Sequence, residues 1–195
     1  MSHLIATPTR HDLPFRAADF STLTEALDYA AQGETGCNFY TGRGELYASK
    51  GYGEVRQQAL VLSKKLLGLG LAKGDRVALV AETSPEFVLF FFACQYAGLI
   101  PVALPASVKI GAHCAYVAQL QRLMEASDAA IGVASEGYLP FLQEACEGLT
   151  TRMVDTHEAF HALPAGTQEL PEISPEDIAY IQYTSGSTRF PRGVV

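Results

Sequence analysis

Charge is scarce in this chain of 195 residues, and positive charge is scarcer. Charged residues make up 18% against 48% hydrophobic, and 14 Lys and Arg face 21 Asp and Glu, for a formal net charge of −7. A chain so apolar and so weakly charged is not intrinsically disordered. Without a basic surplus it lacks the electrostatic footprint of a nucleic-acid binder. Cysteine is sparse too. Cys37, Cys94, Cys114 and Cys146 form no CxxC pair, which argues against a zinc ribbon or a thioredoxin-type centre, and a disulfide-stapled secreted domain would be shorter and richer in cysteine. Met1 to Phe20 has no apolar run and mixes Arg10, Asp12, Arg16 and Asp19, so no signal peptide is expected and the cytoplasm is the default compartment. There is no internal repeat and no low-complexity tract. The length suits one ordinary domain, or one and a half, with a sizeable core.

The pattern of what is present predicts an α/β fold. Residues 1–20 read as an irregular arm. Thr22–Gln32 reads as a short helix, with Leu23, Ala26, Leu27 and Ala30 on one side. Cys37–Thr41 and Glu45–Ala48 flank Gly42-Arg43-Gly44, a hairpin signal. Tyr52–Leu69 carries Val55, Ala59, Leu62, Leu66 and Leu69 at helical spacing. Strands and helices then alternate: a strand over Arg76–Ala81, a helix opened by Thr83-Ser84-Pro85-Glu86 and stopped at Gly98, and a strand over Ile100–Leu104. Next come a helix over His113–Ala126, a strand over Ala129–Ala134 and a helix over Glu136–Glu147. A strand over Thr151–Asp155, a short helix over His157–Ala162 and a strand over Asp177–Thr184 complete the series. Continuous apolar strands such as Val77-Ala78-Leu79-Val80 imply a mostly parallel sheet flanked by helices. The division expected is an arm over 1–20, an α/β subdomain over 21–176 with a Pro-rich connector over 163–176, and the start of a further subdomain over 177–195. Ending at Val194-Val195, where a new strand should begin, the chain reads as part of a longer product.

Three stretches hold candidate chemistry. Phe87–Ala106 runs twenty residues without a charge, long enough for a membrane helix. Gly98, Pro101 and Pro105 interrupt it and Gln95 sits near its middle, which favours a buried helix followed by a buried strand and no membrane span. His157-Glu158-Ala159-Phe160-His161 matches the H-E-x-x-H zinc pattern. Pro164 ends that helix at once, so a surface turn with two solvated histidines is the better reading and no metal ligands are assigned. The third stretch is Tyr183-Thr184-Ser185-Gly186-Ser187-Thr188-Arg189-Phe190-Pro191-Arg192-Gly193. It follows a buried strand directly. Its backbone N–H groups and hydroxyls can cradle phosphate oxygens, and Arg189 and Arg192 can neutralise their charge. It is not a Walker A loop, because Gly193 is followed by Val194 and no lysine is present.

That loop resembles the phosphate-binding signature of adenylate-forming enzymes: acyl-CoA synthetases, peptide-synthetase adenylation domains and luciferases. Arg189 stands where that signature usually has glycine, and Arg192 where it usually has lysine. The form Gln182 to Pro191 is similar to the fatty acyl-AMP ligase branch. Gly74-Asp75-Arg76-Val77 and Cys94 to Pro105 also resemble segments of these enzymes, so the likeness runs from about Ser21 to Val195. The resemblance implies the N-terminal part of the large domain of such an enzyme, with ATP and Mg²⁺ as cofactors. It implies a fatty acid as substrate and a phosphopantetheinylated acyl carrier protein as acceptor. Thr184, Ser185, Gly186, Ser187, Thr188, Arg189, Arg192 and Gly193 would hold the ATP phosphates. No catalytic residue is expected among these 195, because the lysine that engages the adenylated carboxylate lies downstream in that family. The chain alone is therefore expected to be inactive, with an unpaired last strand that could self-associate. Alternatives are a fatty acyl-CoA synthetase or another adenylating ligase and, from a different class, a truncated non-catalytic module that binds a lipid or a partner.

Overall fold

The computed structural model describes residues 13–106, 113–184 and 192–195. Helix α1 (Leu23–Ala30) starts at Thr22, whose hydroxyl accepts the Glu25 N–H at 3.1 Å. Strands β1 (Gly36–Tyr40) and β2 (Leu46–Gly51) form the expected hairpin, a two-stranded antiparallel sheet of their own. Its turn is held by Thr41 Oγ1, which accepts from the N–H groups of Arg43 and Glu45, and by Gly44 at φ +80°. Helix α2 (Tyr52–Gly68) follows without a break.

The alternating region builds the main sheet. It runs through β3 (Arg76–Val80), α3 (Pro85–Ala97), β4 (Ile100–Leu104), α4 (His113–Ser127), β5 (Ile131–Ala134) and α5 (Leu139–Ala145). It continues through β6 (Met153–Thr156), α6 (His157–Ala162), β7 (Ile181–Tyr183) and β8 (Gly193–Val194). The spatial order is β6-β5-β3-β4-β7-β8. The first five are mutually parallel, and β8 returns antiparallel to β7.

Alternation along the strands creates two cores. Val77, Leu79, Ile131 and Val133 face α2, α3 and α6 on one side, in a cluster with Leu62, Leu66, Phe90 and Phe160. Ala78, Val80, Val102, Leu104 and Ala134 face α4 and α5 on the other, with Tyr116, Leu120, Met124 and Leu142. Helix α3 is apolar on every side, so it must be buried on most of them. Ser84 caps it by accepting the Phe87 N–H at 3.2 Å, Pro85 opens its first turn, and Gly98 ends it in the left-handed region at φ +64°. The charge-free stretch thus divides into a helix and a strand, and among the described residues no helix is long and apolar enough to cross a membrane.

The largest shortfalls against the sequence expectation are in α5 and β7. Helix α5 begins at Leu139 because Ser135–Tyr138 form a turn first and Pro140 sits in the first helical turn. Strand β7 begins at Ile181 rather than Asp177. Ser174 N–H donates to Asp177 Oδ2 at 2.7 Å and Asp177 N–H returns to the Ser174 carbonyl at 3.0 Å. That local turn takes the residues expected to extend the strand.

Candidate functional site

In an open α/β sheet ligands bind beyond the carboxyl ends of the strands, where successive connections leave to opposite faces. Here β3 exits to α3 on one face and β4 exits to α4 on the other. The register makes the edge level. Val80 lies beside Leu104, and Ala103 beside Gln182, so β3, β4 and β7 end at the same height. A cleft of about 390 Å³ opens there, lined by Ala81, Pro105, Gln119, Leu123, Tyr183 and Thr184 among others.

Two tyrosines, Tyr116 buried and Tyr183 half-buried, brace this edge from below. Tyr116 donates to the Pro105 carbonyl at 2.7 Å just past β4, and Tyr183 donates to the Leu123 carbonyl at 3.4 Å. Burial raises both phenols above their ordinary range, so they stay protonated donors at neutral pH. Tyr116 does not stand out in the sequence as a site residue. Its position in the helical stripe marks it as core, and the one available signal is that a buried tyrosine hydroxyl needs a partner.

Of the predicted phosphate-binding residues, Thr184, Arg192 and Gly193 are described; Ser185, Gly186, Ser187, Thr188 and Arg189 lie outside the described residues. The structure brings the two ends of the loop together. Thr184 N–H donates to the Arg192 carbonyl at 3.0 Å, and Arg192 N–H donates to Thr184 Oγ1 at 3.4 Å. Tyr183 pairs with Gly193 in the β7–β8 ladder. A side chain at Gly193 would press on β7, since a Cβ there would lie 3.3 Å from Ile181 Cγ2 and 3.4 Å from Tyr183 Cε1. Thr184 and Arg192 thus close a hairpin mouth at the carboxyl edge of β7, beside the cleft. Thr184 and Arg192 are exposed there, and a hydroxyl O–H and a guanidinium are donors suited to an anionic ligand.

The two histidines of the zinc pattern are engaged elsewhere, and His157 is not solvated as the sequence suggests. It is 7% exposed and packs on the Phe90 ring at 5.2 Å. His161 Nε2 lies 2.8 Å from Glu86 Oε2. Among the described residues, no group of three His, Cys, Asp or Glu side chains could hold a metal ion.

Burial holds the His157 imidazole below its ordinary range, against a smaller opposing pull from Glu86. The unfolded chain then takes up a proton at His157 more readily than the folded one. This contribution to stability is full above about pH 6.5 and is lost as pH falls below it. Urea midpoints measured at pH 7.5 and 5.5 are expected to fall further for the wild type than for His157→Gln, which carries no charge at either pH. Equal falls would remove His157 as the cause.

The level carboxyl edge and the hairpin mouth beside it mark the candidate site, and comparison gives the family. The chain matches the family model of AMP-binding enzymes over residues 30–195, and it belongs to that family. It is 43% identical along its whole length to a candidate acyl-CoA synthetase of Caulobacter vibrioides, covering 34% of that protein. It is 31% identical over 75% of its length to the 4-hydroxybenzoate–CoA/benzoate–CoA ligase of Rhodopseudomonas palustris, covering 28% of it. Among solved structures it resembles one from a study of fatty acyl-adenylate ligases of E. coli and L. pneumophila. Identity there is 47% and the TM-score 0.87, covering 93% of this chain and 33% of that one. The chain thus spans about a third of the length of the relatives it matches.

Proposed function

We propose that this chain is the N-terminal part of a fatty acyl-AMP ligase. In the reaction, a fatty acid carboxylate oxygen attacks the α-phosphorus of ATP, the bond from that phosphorus to the β-phosphate bridge breaks, and acyl-AMP and pyrophosphate result. The thiol of a phosphopantetheinylated acyl carrier protein then takes the acyl group and AMP leaves. No covalent enzyme intermediate is needed, so positioning and charge stabilisation provide the rate. Thr184, the loop from Ser185 to Arg189, and Arg192 hold the β- and γ-phosphates in this reading. Mg²⁺, when bound, would screen the charge of the triphosphate.

The observation that carries the proposal is the 47% identity to a structure from a study of fatty acyl-adenylate ligases. It is supported by the place of Thr184 and Arg192 at the carboxyl edge. A fatty acyl-CoA synthetase is the second reading, favoured by the likeness to the Caulobacter protein. To separate them, the full-length protein is mixed with MgATP, a twelve-carbon fatty acid and excess coenzyme A, and products are read by mass spectrometry. Acyl-AMP accumulating without acyl-CoA is expected. Acyl-CoA formation would give the second reading instead.

A further inference from the structure

A buried amide side chain is costly unless its polar atoms are bonded. Helix α3 buries one: Gln95 is 5% exposed, among Ala93, Cys94, Tyr96 and Ala97. Its Nε2 donates to the carbonyl of Ala179, two residues before β7 begins.

That strand is weakly fixed by its own ladder. The β3–β4 ladder has five register pairs, whereas β4 and β7 share two, Val102 with Ile181 and Ala103 with Gln182. A slip of one residue would move β7 by about 3.3 Å and turn Ile181 and Tyr183 away from α4. It would also lift Thr184 and the loop after it out of level with the ends of β3 and β4. Two other ties act near the strand. Lys73 Nζ contacts Asp177 Oδ2 at 2.6 Å and donates to the Glu172 carbonyl at 2.9 Å, but the pair is largely solvated and exposed pairs contribute little. The Tyr183 bond to Leu123 is long, at 3.4 Å. Of these three side chains Gln95 is the most deeply buried.

We propose that Gln95 is a positioning residue for the phosphate loop: by holding Ala179 it sets the register of β7 and hence the height of Thr184 at the carboxyl edge. The proposal rests on the reading that this loop holds nucleotide. It assigns a functional duty to a side chain at the amino end of β7, on the far side of the sheet from the chemistry.

The test compares two variants of the full-length protein. Gln95→Met keeps the length of the side chain and loses the donor. Ser63→Ala removes a hydroxyl buried in the same core, where it donates to the carbonyls of Ala59 at 2.6 Å and Ala93 at 2.9 Å on α2 and α3. Both variants are expected to lower Tm. Gln95→Met alone is expected to raise the KM for MgATP about tenfold or more, since misplacement by an ångström can cost about a hundredfold. Its KM for the fatty acid should change by less than about twofold. It should also speed hydrogen exchange at the Thr184 amide, which donates to the Arg192 carbonyl across the loop mouth. If Gln95→Met matches Ser63→Ala in both kinetics and exchange, Gln95 is a core amide and nothing more. If the wild type adenylates no acid, the reading under the proposed function fails, and exchange at Thr184 still decides whether Gln95 sets the strand.

Discussion

Arg192→Ala in the full-length protein is expected to lower kcat/KM for MgATP by about 10²- to 10³-fold, the usual cost of losing one aimed charge stabiliser. The substitution is informative because it spares the local fold. Among the described residues, Arg192 joins the loop mouth through its backbone: its carbonyl accepts from Thr184 N–H and its N–H donates to Thr184 Oγ1. Alanine keeps both bonds. What it removes is an exposed guanidinium at the edge of the cleft. Arg192→Lys should recover part of the loss, because an ammonium supplies charge without the bidentate fork. ATP–pyrophosphate exchange measured across an ATP series reads both variants. An alanine variant within about twofold of wild type would mean that Arg192 does not meet the phosphates.

Phe90→Ala is expected to be the most damaging single truncation for stability. Phe90 is fully buried, with Phe160 edge-on at 6.0 Å, His161 edge-on at 5.5 Å and His157 tilted at 5.2 Å. Removing the ring deletes the surface against which α6 packs, and a buried Phe→Ala change costs about 3–5 kcal/mol. For a chain of this size that is a fall in Tm of about 6–20 °C. Phe15→Ala, at a position 92% exposed, should change stability by about 0.5 kcal/mol or less. Thermal melts of the two variants side by side check the claim. A small loss at Phe90 would mean that α6 does not depend on it.

Where local chemistry decides a boundary, the sequence was legible. Ser84, Pro85 and Gly98 bracket α3 as their capping preferences require, and β4 and α6 fall on the predicted residues. The loop's hydroxyls, glycines and arginines suit phosphate binding by their chemistry, and the structure brings its flanking residues Thr184 and Arg192 together. Partnership between distant segments was not legible. Nothing local in Asp177–Tyr180 says that the Gln95 amide will reach the Ala179 carbonyl. Nothing in the stripe of α4 says that the Tyr116 hydroxyl reaches the Pro105 carbonyl. His157 reads as a surface residue because solvation was inferred from residue type, whereas its exposure is set by where α6 docks on Phe90.

The sheet order also sets a delay during synthesis. Val102 meets Ile181 in the ladder, so β4 leaves the ribosome about eighty residues before the strand that will cover its outer edge. At about 5–20 residues per second that edge waits roughly 4–16 s. Open strand edges recruit other chains. Ile100 N–H turns toward β3, where it bonds the Asp75 carbonyl at 2.9 Å, so by alternation the next residue, Pro101, faces the waiting side. Having no N–H, it offers a passing strand no donor there. The proline that divides an apolar run also guards the nascent sheet until its own partner arrives.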